Sequence, residues 1–201
     1  MITLNLKITT KTNLYIGGMA LGFEIGGIDM VTAIRNNKPY IPASSFKGAL
    51  REICRDHADE ASEITGIYKD YSDPQDENAP KHLFIFGVPG QNRTPKLIFN
   101  DFECISEGSD LFSIETKNSI EESEGKLNSN PRTYKVANAG LIFEGKILFR
   151  LENMEKNEQE IVKNYIQNMC EKFNDGLYRI GNSKSRGYGY ISVDVSEETK
   201  E

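Results

Sequence analysis

Four stretches of this chain combine residue types that do chemistry on anionic ligands. In Ile41-Pro42-Ala43-Ser44-Ser45-Phe46-Lys47-Gly48-Ala49-Leu50-Arg51, two serines open a run with helical spacing of apolar residues. A helix N-terminus exposes unpaired N–H groups and partial positive charge, so Ser44 and Ser45, with Lys47 and Arg51 one turn apart, make a phosphate-binding surface. A serine-capped helix with solvated cations accounts for the same residues. The loop 181–189 sets Gly181, Lys184, Arg186, Gly187 and Tyr188 among further glycines and serines. Such a loop can follow a phosphodiester backbone with its N–H groups while Tyr188 stacks on a base. It lacks the Gly-Lys-Ser/Thr end of a Walker loop and precedes a strand, which excludes the dinucleotide fingerprint and leaves a tight hairpin with surface cations as the rival. Asp29, after Gly26-Gly27-Ile28, is placed on an irregular loop where a carboxylate binds a metal ion, accepts a hydroxyl proton or caps a turn. The fourth stretch carries Asn118-Ser119-Ile120 and Asn128-Ser129-Asn130-Pro131-Arg132 in a polar passage too poor in apolar residues for a core and too long for an idle connection.

The elements that must position these residues follow from periodicity. Ile2, Leu4, Leu6 and Ile8 alternate as a first strand, and five glycines between Gly17 and Gly27 mark a loop that hugs a ligand or another backbone. Phe46, Leu50, Ile53 and Cys54 give the first helix its apolar face. A buried segment is expected at Leu83 to Gly87, and one strand at Lys96 to Phe102. Leu141, Phe143, Ile147, Phe149 and Leu151 form the next strand; Ile161, Tyr165, Ile166, Met169, Cys170 and Phe173 line a second helix, with Gly176 as its C-terminal cap. A strand from Tyr190 to Val195 closes the order β-α-β-β-α-β. The fold class is therefore α+β, a ferredoxin-like (RRM-like) core with glycine-rich loops, a helical and acidic insertion at 52–80 and a hairpin at 115–138, all in a single domain over 1–201. Beyond Ile64 the insertion has no clear periodicity and reads as a mobile loop.

With 201 residues, 38% hydrophobic and 27% charged, the chain has the composition of an ordinary folded domain. The longest apolar run, Leu83 to Val88, is far too short to span a bilayer, and the N-terminus lacks the h-region of a signal peptide, so a cytoplasmic protein with no membrane partner is expected. Cys54, Cys104 and Cys170 are odd in number and widely spaced, which fits reduced thiols. Cys54-x-x-His57 is half of a zinc site without a second half in reach, so no structural metal is expected; Cys54 reads as core and His57 as solvated. The net charge of −6 misleads as an average: nine acids against two bases fall within 52–80, and the rest of the chain carries +1. A nucleic-acid partner responds to the local field.

Together these stretches resemble the RAMP superfamily of CRISPR-associated proteins, specifically the Csm-type backbone subunit of type III effector complexes. Leu14-Tyr15-Ile16-Gly17-Gly18, continuing to Ile25-Gly26-Gly27-Ile28-Asp29, is similar to the family's N-terminal glycine loop, and Asp29 falls where the family carries a catalytic aspartate. Ile41-Pro42-x-Ser44-Ser45-Phe46-Lys47-Gly48-x-x-Arg51 resembles its most recognisable motif, 181–189 its signature glycine loop, and Asn118, Ile120, Asn130, Pro131 and Arg132 its thumb hairpin. Glu121, Glu122 and Glu124 make this thumb acidic near its start, and 52–80 has no counterpart.

The resemblance implies copies stacked head to tail along a guide RNA (crRNA), alongside other type III effector subunits. Ser44, Ser45, Lys47, Arg51, Gly181, Lys184, Arg186, Gly187 and Tyr188 would then contact the guide, with base pairing to a complementary target RNA supplying specificity. It further implies a thumb that displaces one base pair at intervals. Asp29 would act with Mg²⁺ or another divalent cation in endoribonucleolytic cleavage through the 2′-OH. Three rivals stay open: a purely structural RNA-binding subunit, a RAMP endoribonuclease that processes precursor guides, and an acylphosphatase-like enzyme on the same topology.

Overall fold

The computed structural model describes residues 2–18, 28–123, 126–152 and 154–197, and for 119–123 and 126–130 the backbone alone. The segment 19–27, where most of the first glycine-rich loop falls, lies outside the described residues, as do the side chains of Ile120 and Asn130. The chain opens on β1 (Ile2–Thr10), then runs through the short strands β2 (Gly17–Gly18), β3 (Met30–Thr32), β4 (Ile34–Arg35) and β5 (Lys38–Ile41) into α1 (Ala43–Asp56) and α2 (Ser62–Ile67). It continues with β6 (Lys96–Phe99), β7 (Phe102–Cys104), the paired β8 (Phe112–Ser123) and β9 (Lys126–Ala137), β10 (Ile142–Arg150), α3 (Lys156–Glu171) and β11 (Ile191–Glu197).

One sheet has the order β11-β1-β10-β7-β5-β4, with β6 also on β10. All of its pairings are antiparallel. With β6 and β7 as one interrupted strand, this is the ferredoxin-like α+β arrangement. Period two on β1 sends Leu4, Leu6 and Ile8 inward, where α1 contributes Phe46, Leu50 and Ile53 and α3 contributes Val162, Ile166 and Met169. Phe46 stands at the centre, 4.7 Å from the ring of Phe102 and 5.3 Å from that of Phe173. Burying each such side chain contributes on the order of 1.5–3 kcal/mol.

Several expectations need correction. Lys96 to Phe102 is not one strand. Between the pairs Phe99↔Ile147 and Phe143↔Cys104 the β6–β7 side carries one residue more than β10, which is a bulge. It turns Asp101 out of the ladder and toward α1, and Phe102 crosses over Gly145, where a Cβ would stand 2.5 Å from its ring. Leu83 to Phe86 is buried as expected, in a 3₁₀ turn at Lys81–Phe86 that also buries His82. The insertion stays helical a little beyond Ile64: a 3₁₀ turn at Ala58–Ala61 leads into α2, which runs to Ile67, and Ala61, Ile64 and Tyr68 make one apolar face, with the Tyr68 hydroxyl donating to the Pro95 carbonyl at 3.0 Å. Cys54 is fully buried, and His57 bonds Glu60 at 2.9 Å.

The hairpin β8–β9 starts at Phe112, three residues before the expected boundary, and is paired in register from Phe112↔Ala137 to Ser123↔Lys126. Its base joins a second sheet, β2-β3-β9-β8, in which β3 runs parallel to β9. Val136 and Ala137 at the base are fully buried, so the hairpin is rooted in the core although the rest of it is polar. No helix among the described residues is long and apolar enough to cross a membrane.

Candidate functional site

The loop 181–189 is stitched onto residues 13–17. Asn182 N–H donates to the Tyr15 carbonyl at 2.7 Å, Gly189 N–H to Asn13 at 3.0 Å, and Ile180 N–H to Gly189 at 3.0 Å. Contacts this close demand glycine. At Gly181 (φ +78°) a Cβ would stand 2.4 Å from the Tyr15 carbonyl oxygen, and at Gly189 (φ +74°) 1.9 Å from that of Ile180. Gly17, at the start of the first glycine-rich segment, lies beside the Asn182 side chain. The first turns of α1 complete it: Ser44, Ser45, Gly48 and Glu52 face Gly17, Gly181, Asn182 and Lys184 across an open groove of about 410 Å³. Gly48 presents bare backbone there, with nothing within 4 Å of where a Cβ would be.

The serines do not cap α1. Pro42 occupies the N-cap without a side-chain bond, leaving Ser44 exposed and Ser45 half-buried within the first turn. The bulge supplies the cap, because Asp101 Oδ1 accepts the Ala43 N–H at 2.7 Å. That bond and the Arg35 guanidinium hold the Asp101 carboxyl below its ordinary pKa. Arg35 also bonds Glu103 at 2.6 Å and lies over the Tyr40 ring. One donor of the proposed anion site is thus already taken by a carboxylate.

The four cations divide as follows. Lys184 pairs with Glu52 at 2.8 Å across the groove. Lys47 points away from it, donating to the Phe86 carbonyl at 2.9 Å; burial lowers its pKa, and Arg51 and Lys96 lower it further. Arg51 and Arg186 are exposed and have no acidic partner among the described residues. Of the sequence-derived donors, Ser44, Ser45 and Lys184 line the groove, and Arg51 lies outside its lining.

Asp29 is exposed and tied to the base of the hairpin at both ends of its residue: its N–H donates to the Thr133 carbonyl at 3.0 Å, and its Oδ2 accepts the Thr133 N–H at 2.6 Å. It lies three residues before Thr32, the partner of Gly17, hence about 10 Å from the groove along β3. No three His, Cys, Asp or Glu side chains converge as a metal cage among the described residues. Asp29 does keep one oxygen for a divalent cation, which fits Mg²⁺ held chiefly by substrate phosphates and water. On the hairpin, Asn118, Pro131 and Arg132 are exposed, and Ile120 and Asn130 pair in register with Ser129 and Ser119.

Residues not singled out in the sequence join these. Asn13 holds the hairpin to the body, donating to Glu115 at 2.6 Å and accepting from Ala139 N–H at 3.0 Å. Tyr188 bonds Glu115 through its hydroxyl, and Lys117 lies 3.6 Å from the Tyr188 ring. Alternation was the available signal: Glu115 and Lys117, with Arg132 and Tyr134 opposite, share one face of the hairpin.

RRM domains stack bases on aromatics of the open sheet face. Here that face carries Thr3, Asn5 and Lys7 on β1, Glu144 and Lys146 on β10, and Asp194 and Ser196 on β11. Among the described residues its only ring is Tyr40 at the far edge, already under Arg35.

Comparison with known proteins follows the same lines. The family model of the RAMP superfamily matches residues 7–192. No curated protein matches the sequence. Among solved structures, a chain of the "Cryo-EM structure of the Type III-B Cmr-beta bound to cognate target RNA" shares the fold with a TM-score of 0.65 at 18% identity, over 98% of this chain. This chain spans 60% of the length of that one.

Proposed function

The chain belongs to the RAMP superfamily, and from that premise we propose that it is a guide-RNA-binding backbone subunit of a type III CRISPR effector complex that cleaves complementary target RNA. The observation that carries this reading is the groove itself: three stretches far apart in sequence, 13–17, 41–52 and 181–189, meet at one open groove, and Asp29 sits about 10 Å away at the root of a long polar hairpin.

In this reading Ser44, Ser45, Arg51, Lys184 and Arg186 hold guide phosphates without reading sequence. The hairpin (the thumb) displaces a nucleotide of the guide:target duplex, which frees the target backbone to bring a 2′-oxygen in line with the adjacent phosphorus. The 2′-O–P bond forms as the P–O5′ bond breaks, leaving a 2′,3′-cyclic phosphate and a 5′-hydroxyl, with the 2′ proton passing to solvent and a proton returning to the 5′ oxygen. Asp29, fixed by Thr133, orients the 2′-OH with its free oxygen. A divalent cation held there would offset charge on the phosphate. Copies of the chain stacked head to tail would repeat the cut at regular intervals.

Asp29→Ala tests this in the assembled complex with end-labelled complementary RNA, with and without Mg²⁺. Cleavage should slow by roughly a hundredfold or more, as for other single positioned groups. Guide binding should persist, and because the lost bond is at the surface, stability should change by no more than about 1 kcal/mol. A target with 2′-deoxy substitutions at the cut positions should survive. Wild-type cleavage by the alanine variant would overturn the role of Asp29, and an unaltered complex that left the target intact would put the structural-subunit reading in its place.

A further inference from the structure

Lys117 projects from β8 on the face it shares with Glu115, Arg132 and Tyr134. Its side chain is half-buried, but the ammonium nitrogen itself is covered and has no hydrogen-bond partner among the described residues. Two rings shield it, Tyr188 at 3.6 Å and Tyr134 at 4.7 Å, and Tyr15 stands edge-on to Tyr134 at 5.3 Å. Burial lowers the Lys117 pKa; Glu115 pulls it back up and Arg186 pushes it down. The Glu115 carboxylate is spent elsewhere, on the Asn13 amide and the Tyr188 hydroxyl.

Ring faces attract a cation without accepting its N–H bonds, so this ammonium is desolvated and unsatisfied, an arrangement that costs stability unless something else supplies the acceptor. The missing acceptor is anionic, because Arg186 adds a second positive charge from the glycine loop. Its surroundings are aromatic, which is the composition of sites that stack a base beside a phosphate. One side chain controls entry: the only hydrogen bond of the Tyr188 side chain among the described residues is to Glu115, so turning that ring uncovers Lys117.

We propose that Lys117, together with Arg186, binds a phosphate of an RNA strand crossing the base of the hairpin, with Tyr188 leaving the ammonium to stack on the adjoining base. This rests on the RNA-binding reading above and adds to it a contact outside the groove. It is a positive site that exists before the ligand arrives.

The test is a titration of the full chain with fluorescent oligouridylate over a range of salt, wild type against Lys117→Met, a variant that keeps length and loses charge. The expected result is a loss of affinity of about tenfold and a salt slope lower by about one, with a melting temperature that does not fall. Equal affinity and slope in the two proteins would overturn the role of Lys117 and leave the RNA-binding reading standing; no binding by the wild type would overturn both. A second measurement needs no folded variant: with the lysines of the wild type ¹³C-dimethylated, the Lys117 resonance should move on adding oligouridylate. A Lys117 resonance that stays in place while RNA binds would equally overturn the proposal.

Discussion

The groove beside α1 and the base of the hairpin both gather cations near aromatic or glycine-rich backbone, yet they hold them differently. In the groove Lys184 is paired with Glu52, Lys47 is drawn away to the Phe86 carbonyl, and the first N–H of α1 is taken by Asp101. At the hairpin base the Lys117 ammonium lies against two ring faces and has no hydrogen-bond partner among the described residues. Cation content alone therefore does not rank anion sites. What ranks them is how many of the donors are still unspent, since a partnered cation must lose one interaction to gain another.

The comparison breaks most visibly if the platform shared by both regions is removed. Gly189→Ala places a methyl group into the Ile180 carbonyl at a positive φ, forcing the 181–189 loop off residues 13–15. A loss of about 2–4 kcal/mol in urea unfolding is expected, together with RNA affinity at both regions. Gly187→Ala, also at positive φ but with open space around it, should cost about 1–2 kcal/mol and leave the loop in place.

A smaller effect separates spent from unspent donors. The pair Arg51→Ala and Arg186→Ala removes two cations without acidic partners, so binding of oligouridylate should weaken about tenfold or more and the salt slope drop by about two. Lys47→Ala should act mainly on stability, because it strips a donor from a buried turn carbonyl. If Lys47→Ala instead weakened binding as strongly as the arginine pair, the division between partnered and free cations would collapse.

Smallest is the release of the groove lysine. Glu52→Gln frees Lys184 from a half-exposed ion pair worth about 0.2–1 kcal/mol, and oligouridylate should bind about two- to fivefold tighter at low salt, the gain fading as salt rises. Unchanged or weaker binding would mean Glu52 supports the site rather than restraining it.

Much of this was legible in the chain. Alternation in β1, β10 and β11 and the helical spacing of α1 and α3 reported the ferredoxin-like order, because each element buries one face along its whole length. The glycines of 181–189 announced a loop with special backbone, and Gly181 and Gly189 meet that demand. Legible only in part was the end of α2, where Ala61 before it, Ile64 within it and Tyr68 after it have helical spacing in a run dominated by acids. Face-sharing on the hairpin was also readable, since register pairs Lys117 with Arg132.

Sequence by itself determined the elements and the chemical inventory: which faces are apolar, where the backbone must be glycine, which stretches carry serine, cation or carboxylate. These are local properties, set by side-chain type at period two or 3.6 and by φ. Tertiary structure alone decided availability. A single extra residue between Phe99 and Cys104 bulges Asp101 onto α1, so a carboxylate rather than a serine caps that helix. Lys184 meets Glu52, and Lys117 meets Tyr188, across separations of 132 and 71 positions in the chain. Desolvation and pairing of a charge depend on neighbours that only the packed chain brings within a few ångströms, and no pattern along the chain encodes that distance.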